Sequence, residues 1–277
     1  MTSTDTVLAA LGSGDLDIVG RLADASNVAF LVRVSGRHAI YKPVRGERPL
    51  WDFPDGNLAS RELASHVLSS AGGWDLVPPT VLRDGPHGVG SVQDWIGPVP
   101  DARGHLDEQA RETGLIGVVP VAAVPEGWHV VMQGELADGS PVFVAHADDD
   151  RLRSLAVLDA VLNNSDRKGS HVLRGAGCDP QGGAERIWGI DNGLCLGVPD
   201  KLRTVLWGWA DEPLPEVEVE RCERLAEALE GETRDILEEL VTEQEIEALE
   251  RRLDRLRRRA THPRPSPDWP SLPWPPL

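Results

Sequence analysis

The sequence predicts an α+β protein in two halves, an antiparallel-sheet first half with one helix and a mainly helical second half. Three observations carry this. Residues 16–44, LDIVGRLADASNVAFLVRVSGRHAIYKPV, alternate apolar and polar residues in three bursts, the period-two signature of strands. Residues 148–164, DDDRLRSLAVLDAVLNN, carry a broad apolar face at helical spacing. Residues 243–259 place Ile246, Leu249, Leu253 and Leu256 at alternating spacings of three and four, which fits one amphipathic helix.

The elements follow in order. A short helix is expected at 5–12. Strands are expected at Ile18–Leu22, Ala29–Val34 and His38–Tyr41, with turn chemistry in ADASN and SGR, and the meander ends on Lys42-Pro43. After a long loop, NLASRELASHVLSSAG reads as a helix capped by Asn57 and stopped by Gly72 and Gly73. VPPTVLRD and GVGSVQDWI read as two more strands, residues 98–112 as irregular, and 128–146 as a hairpin. Three aspartates open the helix at 148, where the dipole favours negative charge. HVLRG and ERIWGID then make a hairpin around a Gly-rich loop at 175–184. Helices are expected at 200–210 and 219–230. The Pro-rich end, HPRPSPDWPSLPWPPL, reads as extended polyproline with two Trp anchors or as disorder. Deleting 263–277 is expected to leave folding intact. The organisation is then residues 1–97, 98–260 and a tail at 261–277.

Composition narrows the function. With 277 residues the chain can bury a large core. A formal net charge of −17 repels phosphate backbones and anionic headgroups, so no nucleic-acid partner is expected. The local basic run at 251–259 reads as a helix end that complements its dipole. Cys178, Cys195 and Cys222 have no CxxC spacing and read as free thiols, with no zinc site. The first twenty residues lack a signal peptide. The longest apolar stretch, 114–125, is too short to span a bilayer. The expectation is a cytoplasmic protein without stable membrane insertion.

One stretch exceeds what a turn needs. The chain has three lysines and twenty-five arginines, yet NNSDRKGSH at 163–171 gathers Asn, Asp, Arg, Lys and His. Lys42 ends a strand, Glu62 lies on the first-half helix, Asp166 sits in this knot, and Asp191 in GIDNG ends a later strand. That set suits phosphoryl transfer: a Lys for nucleotide phosphates, a Glu to hold it, one Asp for an acceptor hydroxyl and one for a divalent metal. Taken singly, each has a plainer reading: a surface lysine, a solvated helix glutamate, and two turn aspartates. No GxxxxGK[ST], GxSxG or HExxH motif is present.

NNSDRKGSH followed by GIDNG resembles the catalytic and metal loops of the phosphatidylinositol 3-/4-kinase-like superfamily. SNVAFLVRV…HAIYKP, with ASRELASHVL…VPPTVL downstream, is similar to the nucleotide-binding strands of type II phosphatidylinositol 4-kinases. The whole chain resembles an actinobacterial phosphatidylinositol-kinase-related family, over about residues 15–210. The resemblance implies a bilobal protein-kinase-like fold and ATP with Mg²⁺ or Mn²⁺. It assigns Lys42 to the nucleotide phosphates and Glu62 to its ion-pair partner. It gives the turn at Ala25-Ser26-Asn27 to the phosphates, and 92–96, with Gln93, Asp94 and Trp95, to the adenine hinge. Asp166 becomes the catalytic carboxylate, Arg167 and Lys168 bind acceptor or phosphate charge, and Asp191 binds the metal. Two positions depart from the pattern: His171 stands where the family has a metal-binding Asn, and Asn192 where it has Phe. Imidazole is a softer ligand that suits Mn²⁺ better than Mg²⁺.

The reading is a kinase that moves the ATP γ-phosphate to a hydroxyl on a protein or small soluble acceptor, a lipid being less favoured. The alternatives are a nucleotide-binding pseudokinase acting as an interaction module, a phosphatidylinositol kinase, and an AMP transferase.

Overall fold

The computed structural model describes residues 3–22, 27–48, 50, 53, 57–99, 113–175 and 186–277. Ala25, Ser26, Cys178 and most of the irregular 98–112 segment lie outside them, as does the loop at 176–185. Five strands, β1 (Leu16–Arg21), β2 (Phe30–Val34), β3 (Arg37–Pro43), β4 (Thr80–Gly85) and β5 (Gly88–Asp94), form an antiparallel sheet in the order β1-β2-β3-β5-β4. Ser35 and Gly36 take positive φ angles of 50° and 79° between β2 and β3, as tight hairpins of this hand require. The helix α1 (Ser3–Ser13) sets Val7 and Leu11 against Val32, Val34, Ala39, Tyr41 and Val92 in a small separate core.

Helix α2 (Leu58–Gly72) forms as expected. Asn57 Oδ1 accepts the Ser60 N–H at 2.7 Å, and the Glu47 carboxylate accepts those of Leu58 and Ala59 at 2.9 Å. Orphan donors are thereby satisfied at the positive end of the dipole. Gly73, at φ 79°, ends the helix. Ala64 and Leu68 of α2 enter the main core, so this helix belongs as much to the second half as to the first sheet.

A second sheet joins β6 (Ile116–Pro120), β7 (Trp128–Glu135) and β8 (Pro141–Ala147) in the order β6-β8-β7. The sequence does not announce β6, because Gly117 and Pro120 break its alternation. Helix α3 (Asp150–Leu162) follows its Asp149 cap and buries Leu152, Leu155, Leu158, Val161 and Leu162 completely. Truncating any of these leucines to Ala costs about 2–5 kcal/mol. Strands β9 (Val172–Gly175) and β10 (Arg186–Gly189) pair antiparallel. Helices α4 (Glu216–Ala228), α5 (Glu232–Glu238) and α6 (Glu243–Arg259) complete the core. A Thr242–Glu245 capping box starts α6, and the four expected apolar residues face inward.

Two expectations fail. Residues 200–210 are not helical. Their backbone donors and acceptors go elsewhere: Arg203 N–H to Asn164 O, Thr204 N–H to Ser271 O, and Val205 N–H to Arg167 O. Gly208 comes so close to His129 and His146 that a Cβ would collide with both rings. The Pro-rich end forms neither helix nor strand from 263 onward, but it is packed. Leu272 is buried, Lys201 lies 4.9 Å from the Trp269 ring centroid, and Gly169 N–H donates to Pro276 O at 2.8 Å. Of the two expected Trp anchors, Trp274 is 79% exposed. Deleting 263–277 would strip partners from residues 169 and 203–207, so the expectation of a dispensable tail is withdrawn.

Among the described residues, no helix is long and apolar enough to cross a membrane. Cys195 and Cys222 are buried free thiols, pushed up to about 12 by burial. The arginines ending α6 meet acids: Arg255 reaches Asp200, Arg257 Glu223 and Arg258 Asp254.

His146 sets a pH dependence. Its ring is fully buried, with Nδ1 2.9 Å from Ala147 O and Nε2 accepting the Gly208 N–H at 3.0 Å. A second ring proton would oppose that N–H. Burial lowers the pKa from 6.5 to about 4. The unfolded chain therefore binds the proton first as pH falls, and stability drops between about pH 6.5 and 4. The expected loss is about 3 kcal/mol at most. Urea titrations of the parent and His146→Gln across this window check it: the slope should be shallower in the variant.

Candidate active site

The last turn of β3 and the middle of α2 bring the first ion pair together. Lys42 Nζ lies 2.5 Å from Glu62 Oε1 and 2.7 Å from Asp191 Oδ1. Alternation along β3 points Lys42 away from the small core that holds Tyr41. Burial pulls the Lys42 pKa down, but Asp191 and Glu62 outweigh it and hold the ammonium above its usual value. Glu62 has a second role: its Oε2 accepts the Asn192 N–H at 3.1 Å. Gly193 then lies where a Cβ would sit 3.1 Å from Leu58 Cβ, which lets this loop close onto α2.

Asp191 takes φ 58° just past the end of β10. Lys42 lowers its pKa well below the carboxylate range, and His171 adds to that. His171 Nε2 is 3.3 Å from Asp191 Oδ2, while its Nδ1 is 3.0 Å from the Asp166 carbonyl. A neutral ring must donate Nδ1–H to that carbonyl, so Nε2 turns a lone pair toward a carboxylate oxygen. Burial, helped by the cations Arg167, Lys168 and Lys42, outweighs Asp191 and lowers the ring pKa to about 4. Two acceptors 3.3 Å apart can share a cation that sits to one side of the line joining them. Among the described residues no group of three or more His, Cys, Asp and Glu could hold a metal ion. Two protein ligands suit Mg²⁺ or Mn²⁺ that takes its other ligands from phosphates and water.

Asp166 sits in the loop after α3, with Lys168 Nζ 3.3 Å from its Oδ2. Burial raises its pKa, Lys168 opposes this, and the Asp191 charge adds to the rise. A carboxylate so tuned is suited to take a proton.

Arg167 requires a correction. It was expected to meet acceptor or phosphate charge. Its side chain is wholly buried, forked onto Asp159 of α3 with distances of 2.9–3.1 Å. It also donates to Asn192 Oδ1 at 2.7 Å, Ile190 O at 2.7 Å and His171 O at 3.3 Å. Arg167 thus ties α3, its own loop and the Asp191 loop into one unit, and contacts no open space. Asn192 is a fully buried member of the same network.

A shallow cleft, open to solvent, is lined by Leu22, Ile40, Lys42, Gln93–Ile96, Leu173, Ile190 and Asp191. The expected hinge residues line it, but their polar side chains are engaged. Gln93 donates to Thr80, Asp94 accepts from Arg37, and the Trp95 indole donates to Pro98 O. A planar base would meet mainly the aliphatic walls. Asn27 Oδ1 accepts the Arg48 N–H at 3.0 Å, so its side chain braces the loop beneath the turn, whose Ala25-Ser26 part lies outside the described residues.

Two residues escape sequence reasoning. Asp159 was readable as a carboxylate on the buried face of α3, which demands a buried cation. Arg203 carries no motif. Its main chain flanks Asp166, donating to Asn164 O at 2.9 Å and accepting the Arg167 N–H at 3.0 Å.

Comparison with known proteins defines the class first. The Golgi casein kinase with Mn/ADP bound superposes on this chain with a TM-score of 0.53 at 13% identity, over 93% of this chain and 75% of that one. The fold is kinase-like. The Helicobacter pylori proinflammatory kinase CtkA matches 91% of this chain and 94% of its own at 11% identity, with a TM-score of only 0.46. No protein-family model matches the sequence. Protein Rv2133c of Mycobacterium tuberculosis is 42% identical over 280 residues, 99% of this chain and 97% of the relative. The chain belongs to the family of that protein.

Proposed function

We propose that this protein is an ATP-dependent phosphotransferase. The observation that carries the reading is Lys42, held between Glu62 and Asp191 at the edge of an apolar-walled cleft. A cation so placed neutralises nucleotide phosphates. Asp191 and His171 would hold Mg²⁺ or Mn²⁺, which when bound offsets phosphate charge. The acceptor oxygen attacks the γ-phosphorus as the bond to the β–γ bridging oxygen breaks, and ADP leaves with that electron pair. Asp166 takes the hydroxyl proton, and Lys168 beside it balances the charge of the transferred group. Glu62 and the Arg167 network hold these groups in register. The narrower likeness to phosphatidylinositol kinases rests on the loop motifs, and the net charge of −17 favours a soluble acceptor.

Lys42→Met is expected to weaken ATP binding about tenfold or more while the fold persists. Calorimetric titration with ATP and Mn²⁺, alongside thermal melts, checks this. Unchanged affinity in the variant would remove Lys42 from the site. Labelling with γ-phosphate against α-phosphate separates phosphoryl from AMP transfer, and ATP binding without either would favour the interaction module.

A further inference from the structure

We propose that the ledge beside Asp166 binds an extended polypeptide, and that residues 271–277 fill it from within the same chain. The acceptor would then be a polypeptide that displaces this segment; that step rests on the kinase reading above. The Asp166 loop has two sides. His171 faces Asp191, which lines the cleft, whereas Gly169 donates its N–H to Pro276 O at 2.8 Å. No residue of 271–277 lines the cleft.

The segment is held by its main chain. Ser271 O accepts the Thr204 N–H at 3.2 Å and the Trp207 indole N–H at 2.8 Å. Leu272 O accepts from Arg203 Nε at 3.3 Å and Nη2 at 3.1 Å. Carbonyls read in this way give affinity for any extended chain, and side-chain pockets then give preference. One pocket is filled, by the buried Leu272; Leu277, 40% exposed, lays its Cδ2 on Gly169, where a Cβ would collide with it, beside Ile116. Between them Trp274 stands 79% exposed, so the segment is pinned at its ends.

Three features mark the occupant as replaceable. Residues 271–277, SLPWPPL, hold three prolines without N–H groups, so the segment offers few donors of its own to the ledge. The Arg203 side chain makes, among the described residues, no ion pair and bonds only a neutral carbonyl, while its charge acts on the Asp166 carboxylate. Arg203 also brackets Asp166 through its main chain, so a peptide bonded to its side chain lies against the element that carries the Asp166 loop.

The test uses the full chain, with Leu277→Asp to expel the segment's end. Leu277→Ala, which only shortens the side chain, keeps the test open should the aspartate unfold the protein. The probe is a fluorescein-labelled SLPWPPL peptide, read by anisotropy without nucleotide. The variants should bind it at least tenfold tighter than the parent, whose ledge is already filled at high effective concentration. A degenerate library of Ser- and Thr-containing nonapeptides should compete. With ATP and Mn²⁺, phosphate incorporation into that library should rise in the same variants at unchanged ATP affinity. Folded variants that bind the labelled peptide no better than the parent would overturn the proposal, and so would binding that the library fails to displace. Because peptide binding needs no nucleotide, failure to bind ATP would count against the kinase reading alone.

Discussion

Asp166→Ala is expected to keep ATP affinity within about threefold and to lose phosphoryl transfer by roughly 100-fold or more. The two effects separate because Asp166 is not part of the Lys42–Glu62–Asp191 cluster. Its carboxylate meets Lys168, and only its backbone carbonyl touches His171. The substitution spares that carbonyl, so the imidazole keeps its tautomer. Burial raises the Asp166 pKa, which improves its match to a hydroxyl proton. Single-turnover transfer and equilibrium nucleotide binding, measured on one preparation, decide the matter. A fall in both together would mean that Asp166 shapes the cleft. Retained transfer would mean that the loop is only a polar turn.

Breaking the Asp159–Arg167 pair should produce the second large effect, this time on folding. Both side chains are fully buried. Asp159→Ala leaves a guanidinium in the core with only neutral acceptors, and about 3–5 kcal/mol of stability should disappear. The double variant Asp159→Leu/Arg167→Met should recover much of that loss, because it buries no charge. Transfer should stay low in the double variant, since no fork then joins the catalytic loop to Ile190 and Asn192. Urea unfolding and transfer assays on the three proteins distinguish these roles. If the double variant transfers phosphate like the parent, the network is packing and nothing more.

The regular elements were legible where one periodicity ruled. Strand β3 and helix α6 bury one face each, which sequence writes plainly, whereas β1 buries no residue and α3 is buried on nearly every side. Residues 200–210 misled because Leu202, Val205, Leu206 and Trp209 look helically spaced. Those side chains reach the core from an irregular chain whose backbone bonds are made with residues 164–167 and 271. The Pro-rich end looked dispensable because carbonyl-mediated docking leaves no mark on composition. Within the site, Lys42, Glu62 and Asp191 of the expected set come together, with His171 beside Asp191, while the Asp166 carboxylate meets Lys168 instead. Arg167 was misread because a loop arginine aimed at a ligand and one buried under the loop share the same sequence. Asp159, eight residues earlier on an apolar helix face, was the sign that separated them.

The buried bond from Arg61 Nη2 to Glu245 Oε1, at 2.5 Å, has a kinetic meaning. Arg61 precedes Glu62 on α2 and also donates to Cys195 O, while Glu245 opens α6 through its capping box. Trp74, just past the end of α2, bonds Glu218 of α4 in the same way at 2.7 Å. Swinging α2 outward, which would part Glu62 from Lys42, must therefore first expose a buried ion pair to solvent. An off-state reached by helix rotation would be costly and slow to enter. The lysine–glutamate couple is accordingly braced from behind, through α2, by both α4 and α6.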